Sequence, residues 1–214
     1  MKQRDQARAM RNAMLDAAEV AFASRGFHAT KMRDVARDVG VTQPLIHHYF
    51  GTKDALFAAV VQRVVERYEV AQADQWERDG SDVRFFTEGI RTLFDFLGRH
   101  RQAVRLMWWA RLEDRMPDVP RGHALDARVR QKFAQAKAAG VLRDDVSIEV
   151  ALLMVDSVVR GFWDRVDHMP VLREHAPGLV DGLLRALLVG LLSDRALDEA
   201  RQVLDEHASA DGSC

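Results

Sequence analysis

The chain has 214 residues, of which 48% are hydrophobic and 29% charged, with a formal net charge of −1. That composition suits a globular protein with a core of ordinary size, and it excludes a disordered chain, which needs fewer large apolar residues and a larger charge excess. A membrane span needs roughly 18 apolar residues in a row, whereas the longest run, Ala186 to Leu192, stops between Arg185 and Ser193. The opening segment MKQRDQARAMRNAM is basic and polar, without the apolar stretch of a secretory signal. Cys214 is the only cysteine, which excludes a disulfide framework or a cysteine metal cluster. The expectation is a cytoplasmic protein with no metal, no cofactor and no membrane partner.

The small net charge hides an asymmetry. Residues 1–53 hold nine Lys/Arg against five Asp/Glu, while the remainder holds 22 against 27. A basic head on an acidic body points to a polyanion bound at the head, although the same bases could simply solvate a helix face.

Helical periodicity runs throughout, and strand-like alternation is absent. Met10, Met14, Ala18 and Phe22 recur every four residues in a first helix, widened by Leu15 and Ala21 and ended by Gly26. Thr30 is suited to cap a short helix over Lys31 to Asp38, which buries Met32, Val35 and Ala36. Gly40 makes a turn, and Thr42 can cap a third short helix that tolerates Pro44 in its first turn. After Gly51 a long helix starts near Lys53, striped by Leu56, Phe57, Val60, Val61, Val64, Val65 and Tyr68. Further helices are expected over about 82–98, 101–115, 121–139, 147–166, 177–193 and 195–207, interrupted at Gly98, Met116-Pro117, Gly140 and Met169-Pro170.

Two short helices joined by a glycine turn and propped by longer ones form a helix-turn-helix, the arrangement that offers a helix to the DNA major groove. Val41 and Ile46 can anchor the second short helix, leaving Gln43, Leu45, His47, His48 and Tyr49 outward. The run Arg11, Leu15, Ala18, Phe22, Gly26-Phe27, Thr30, Asp34-Val35-Ala36, Gly40-Val41, Ile46, Tyr49-Phe50, Lys53, Leu56 resembles the signature of the tetracycline-repressor (TetR) family of bacterial transcription regulators. About 50 of the 214 residues carry the likeness.

The resemblance implies an all-α protein, with a three-helix helix-turn-helix DNA-binding domain over residues 1–53. A larger helical ligand-binding and dimerisation domain would follow over 54–208, with a tail at 209–214. It implies a homodimer that binds a double-stranded DNA operator through its third helix and is released by a small-molecule effector bound in the body. Thr42, Gln43, Pro44, His47, His48 and Tyr49 then fall on the reading helix, Thr30, Lys31 and Arg33 open the helix before it, and Lys53 is the phosphate contact. A cation at a helix start works against the helix dipole, so the Lys53 charge needs another role. The family usually has tyrosine at the position of His47. Histidine still donates to phosphate, but no operator sequence can be carried across that change. Gln43 has the amide that pairs with adenine, or it is simply solvated; Tyr49 and Phe50 read as core or helix-packing residues rather than base contacts.

Motifs of other chemistry, such as HExxH, CxxC and nucleotide-binding glycine loops, are absent. Asp144-Asp145 and Glu113-Asp114 lie beside expected helix ends, where carboxylates cap or are solvated, and the expectation is that the chain is not an enzyme. In the body, Met107, Trp108 and Trp109 stand out, and Met154, Phe162 and Trp163 could oppose them around an apolar or planar effector. Ordinary core is the competing reading. The stripe Leu179, Val180, Leu183, Leu184, Leu187, Leu188, Leu191 is too broad for one neighbour. Gly182, Ala186 and Gly190 would let a partner helix approach closely, and the family resemblance favours a four-helix interface of two copies involving Leu179, Leu183, Ala186, Leu187 and Gly190. A ligand-insensitive regulator or an activator is the alternative function.

Overall fold

The computed structural model describes residues 2–73 and 82–211, and the expectations for Cys214 and the end of the tail lie outside them. In chain order its helices are α1 (Lys2–Ala29), α2 (Met32–Val39), α3 (Gln43–Phe50), α4 (Lys53–Ala71), α5 (Val83–Arg99), α6 (Arg101–Leu112), α7 (Pro120–Ala138), α8 (Ile148–His168), α9 (Pro170–Glu174), α10 (Ala176–Leu191) and α11 (Asp194–Asp211). The described residues contain no strand, only one isolated bridge between Leu142 and Leu192. The all-α expectation therefore holds. None of the described helices is long and apolar enough to cross a membrane.

Two compact units divide the chain, the first from residues 1–67 and 100–122, the second from the described part of 68–99 and 123–214. The first unit thus runs beyond residue 53, through most of α4, and takes in α6. The reason is burial. The three helices α1 to α3 have too little apolar surface for a core of their own, and Ala103, Leu106 and Ala110 of α6 complete the cluster begun by Met14, Leu15, Ala18 and Phe22 of α1.

Inside α1 the backbone breaks at Gly26, with φ 77° and ψ 179°, before one more turn to Ala29. A Cβ there would lie 2.8 Å from both Glu113 Oε1 and Trp109 Cε3, so glycine is required for space as well as for its positive φ. The break frees two amides, which Glu113 accepts: Phe27 N–H at 2.6 Å and His28 N–H at 3.2 Å. Thr30 does not cap α2. Lys31 holds that position without a side-chain bond, and the buried Thr30 hydroxyl shares its proton between the carbonyls of Gly26 (2.7 Å) and Ala21 (3.2 Å). The carbonyls left over where α1 ends take the hydroxyl inward.

A buried charge cluster joins α1 to α4. Glu19, only 4% exposed, accepts from Arg63 at 2.8 Å and Arg67 at 2.7 Å, and Arg63 also reaches Asp16 at 2.7 Å. The two arginines sit four residues apart on one face of α4, so a single carboxylate can engage both.

Aromatic packing dominates the second unit. Phe94 of α5 and Phe162 of α8 meet edge to face at 5.8 Å, and Phe162 in turn meets Trp163 at 4.8 Å. Trp163 Nε1 donates to the Phe94 carbonyl at 2.7 Å, and its ring lies where a Cβ on Gly98 would be, 2.6 Å away. The break expected at Gly98 falls two residues on, at His100; Gly98 is the penultimate residue of α5, kept small by a tryptophan. Ser147 caps α8 by accepting from Val150 N–H at 3.2 Å. Arg143 N–H to Leu191 O and Ser193 N–H to Val141 O, both 2.9 Å, clasp the α7–α8 connection to the end of α10.

Gly26→Ala should lower stability by about 2 kcal/mol or more through overpacking alone, seen as a fall in thermal midpoint; an unchanged midpoint would contradict the close approach of Trp109 and Glu113. Glu19→Gln should cost about 3 kcal/mol in a urea titration, because it leaves part-buried Arg67 without its counter-charge and Arg63 with Asp16 alone.

Candidate nucleic-acid interface

Short helices hold position only through their anchors. In α3 the anchor is Ile46, fully buried, with Leu45, Tyr49 and Phe50 half-buried against the same core. The turn before it rests on Gly40 at φ 78°, whose amide closes back on the α2 carbonyls, and the helix ends at Gly51 with φ 73°. Thr42 takes the cap position with extended backbone but makes no side-chain cap bond. Its hydroxyl is thus left on the surface, together with Gln43, Pro44, His47 and His48, all exposed. These five residues are the exposed ones of α3 and its cap, in contrast to the buried Ile46.

Two of them are coupled. The His47 ring lies with Nδ1 2.7 Å from the Gly51 carbonyl oxygen and Nε2 3.2 Å from Gln43 Nε2. Tyr49 turns away from this surface, toward the core, with its ring edge-on to His48 at 5.8 Å.

Lys31, Arg33 and Arg37 are exposed around α2. Arg33 lies 3.9 Å from Asp34, and Arg37 bridges Asp34 at 3.3 Å and Asp38 at 3.6 Å. Lys53 has a role that sequence reasoning missed. Its ammonium donates to the carbonyls of Thr30 (2.9 Å) and His28 (3.3 Å) and sits 4.3 Å from the centre of the Phe27 ring. Desolvation in this position lowers its pKa below that of an ordinary lysine, against the opposing fields of Asp54 and Glu113. Arg115 covers the same ring at 5.0 Å and reaches Asp54 at 3.4 Å. The signal was present in sequence only as a cation at an unfavourable helix start.

The six residues expected around an effector divide between the two units. Met107, Trp108 and Trp109 belong to α6 in the first. Met107 packs on the head core and Trp109 abuts Gly26. Trp108 Nε1 is buried without a hydrogen-bond partner among the described residues. Met154, Phe162 and Trp163 belong to α8 in the second, with the Met154 methyl 3.1 Å from where a Gly190 Cβ would stand. Of the residues expected at a subunit interface, Ala186 is exposed and Leu179, Leu183 and Gly190 are half-buried, whereas Leu187 is only 3% exposed. Leu187 shares the inward side of α10 with Leu184, Leu188 and Leu191, so the chain's own core takes it. Val189, at 53% exposure, was not singled out, and neither was Leu153 of α8 at 66%.

The family model for bacterial regulatory proteins of the tetR family matches residues 14–60, and that for the tetracyclin repressor-like C-terminal domain matches residues 88–188, together more than half of the chain. The HTH-type transcriptional activator FasR of Mycolicibacterium smegmatis is 33% identical over 99 residues, a match that spans 46% of this chain and 45% of FasR. An HTH-type transcriptional repressor of Mycobacterium tuberculosis is 29% identical over 171 residues, 76% of this chain and 84% of that protein. A TetR family regulator from Marinobacter aquaeolei shares the fold with a TM-score of 0.72 at 19% identity, over 90% of this chain and all of that one. The transcriptional regulator FadR of Bacillus subtilis, solved in complex with stearoyl-CoA, shares it with a TM-score of 0.62 at 16% identity, over 83% of this chain and 97% of that one. The helix-turn-helix geometry and both family matches agree: the chain belongs to the TetR family of DNA-binding bacterial transcription regulators.

Proposed function

We propose that the chain acts as a cytoplasmic, homodimeric transcriptional repressor that reads a near-palindromic operator with α3 and is released by a small apolar or aromatic effector. The observation that carries this reading is the exposure of Thr42, Gln43, Pro44, His47 and His48 on a short helix locked in place by the buried Ile46. Amide and imidazole groups there suit base edges, and the hydroxyl and the flanking Lys31 and Arg33 suit phosphate oxygens. In a two-fold dimer the half-sites are centred about 34 Å apart, or a multiple of that.

Exposed apolar residues support pairing of two copies. Val150 and Leu153 on α8 and Val189 on α10 are 47%, 66% and 53% exposed, next to the small exposed Gly182 and Ala186. The second copy is the occupant proposed for this face. For the effector, the aromatic lining around Phe162 and Trp163, with the adaptable Met154, is the proposed element of the second unit. A fatty acyl thioester is one candidate class, since a protein of this fold is solved with stearoyl-CoA. Release requires that the effector favour a conformer with low operator affinity; a 100-fold loss corresponds to about 2.7 kcal/mol of coupling. Activation instead of repression is the second reading, supported by the relative named as an activator.

In mobility-shift titrations on a duplex enriched from a randomised pool, Lys31→Ala and Arg33→Ala should each weaken binding on every sequence. Each should also reduce the slope of log K against log salt by about one. No change in either quantity would remove α2 from the interface. Leu153→Glu and Val189→Glu should turn the dimer into a monomer in sedimentation runs and weaken binding to two-half-site duplexes; wild-type chains that sediment as monomers would defeat the dimer proposal.

A further inference from the structure

The outward face of α3 holds a chain of side-chain contacts that fixes what Gln43 can show to DNA. Any hydrogen bond from His47 to the Gly51 carbonyl places a proton on Nδ1, since a carbonyl only accepts. At 2.7 Å this bond is short and local, closing from residue 47 to residue 51 at the helix end. A neutral ring with its proton on Nδ1 presents a lone pair at Nε2. That atom lies 3.2 Å from the Gln43 side-chain nitrogen, which therefore donates to it. Gln43 is left with its carbonyl oxygen and one N–H pointing outward.

An outward acceptor beside an outward donor matches one base edge in the major groove. Adenine offers N6–H as donor and N7 as acceptor, whereas guanine offers two acceptors, O6 and N7. We propose that His47 is a positioning residue that holds the Gln43 amide in the orientation complementary to adenine, with Gly51 as its backbone anchor. The histidine then sets specificity through its neighbour rather than through a base contact of its own. An unconstrained glutamine rotates between amide orientations and loses side-chain entropy on binding; this one is already oriented. The inference rests on α3 being the reading helix.

The test separates the two nitrogens. The side-chain nitrogen of asparagine occupies the place of Nδ1, and the terminal amide of glutamine that of Nε2. Wild type, His47→Ala, His47→Asn, His47→Gln, Gln43→Ala and the double variant Gln43→Ala/His47→Ala are each selected on one randomised double-stranded DNA pool. Binding is then measured on duplexes that differ at single base pairs. Both positions changed, 43 and 47, are exposed, and far-UV circular dichroism checks each fold.

The expected result is one base pair per half-site where wild type prefers adenine by roughly 5-fold to 150-fold and Gln43→Ala prefers nothing. His47→Ala and His47→Asn should lose most of that preference, and His47→Gln, which can still accept from Gln43, should keep it. In the Gln43→Ala background, His47→Ala should have no further effect at that base pair. The inference is overturned if the Gln43-dependent base is not adenine, if His47→Ala leaves the preference intact, or if the two substitutions add. Should wild type enrich no sequence at all, the assignment of α3 as the reading helix fails, and this inference falls with it.

Discussion

The break in α1 at Gly26 is the constraint on which the head depends. A helix that continued without interruption would bury its last amides in its own ladder and carry Phe27 past the core. The break releases Phe27 and His28 N–H to a carboxylate from α6 and leaves the carbonyls of His28 and Thr30 to an ammonium from α4. One turn of backbone is therefore held by Glu113 from one side and Lys53 from the other. Phe27 lies between Lys53 and Arg115 and packs at 5.3 Å against Phe57 of α4. Opposite charges placed at opposite backbone polarities satisfy what the break exposes, so the strain at φ 77° is retained because three other elements close on it.

This arrangement explains how two helices of eight residues can present a rigid face. Helices so short are unstable alone. Here α2 is held by Val35 and Ala36, and α3 by Ile46, all at 2% exposure or less. Glu19 joins α1 to α4 through Arg63 and Arg67, which fixes the two long helices that support the short pair. The polar face of α3 can then carry residues with no packing role, because position is determined elsewhere.

Much of this was legible in the sequence, for reasons that can be stated. Apolar spacing marked α1 to α4 within a few residues, and the glycines at 26, 40 and 51 marked the turns because each sits at positive φ. Ile46 and the outward set of Gln43, His47 and His48 followed from the helical period. What periodicity could not give was the partner of a polar group. Thr30 looked like a cap and is a buried donor to α1; Lys53, expected as a phosphate contact, engages backbone carbonyls within the chain. Glu19, the one charge in the run from Ala17 to Ala23, gave no sign of what it pairs with, since its partners lie 44 and 48 residues away. Gly98 marked the end of α5 to within a residue, yet nothing in the sequence showed that it also makes room for Trp163.

The charges on α2 bear on how such a face can discriminate. Of the cations nearest the reading helix, Arg33 and Arg37 already face Asp34 and Asp38, and Lys53 is engaged with carbonyls. Attraction to any polyanion is correspondingly reduced, because a cation paired with a carboxylate contributes less to the field than a free one. Non-specific affinity comes almost entirely from that field, whereas base readout comes from oriented donors and acceptors. On the proposed reading, a head with partly neutralised cations and a pre-oriented amide would give up affinity for DNA in general while keeping its preference among sequences. The ratio between the two, more than either affinity, determines whether a regulator finds its site among many competitors.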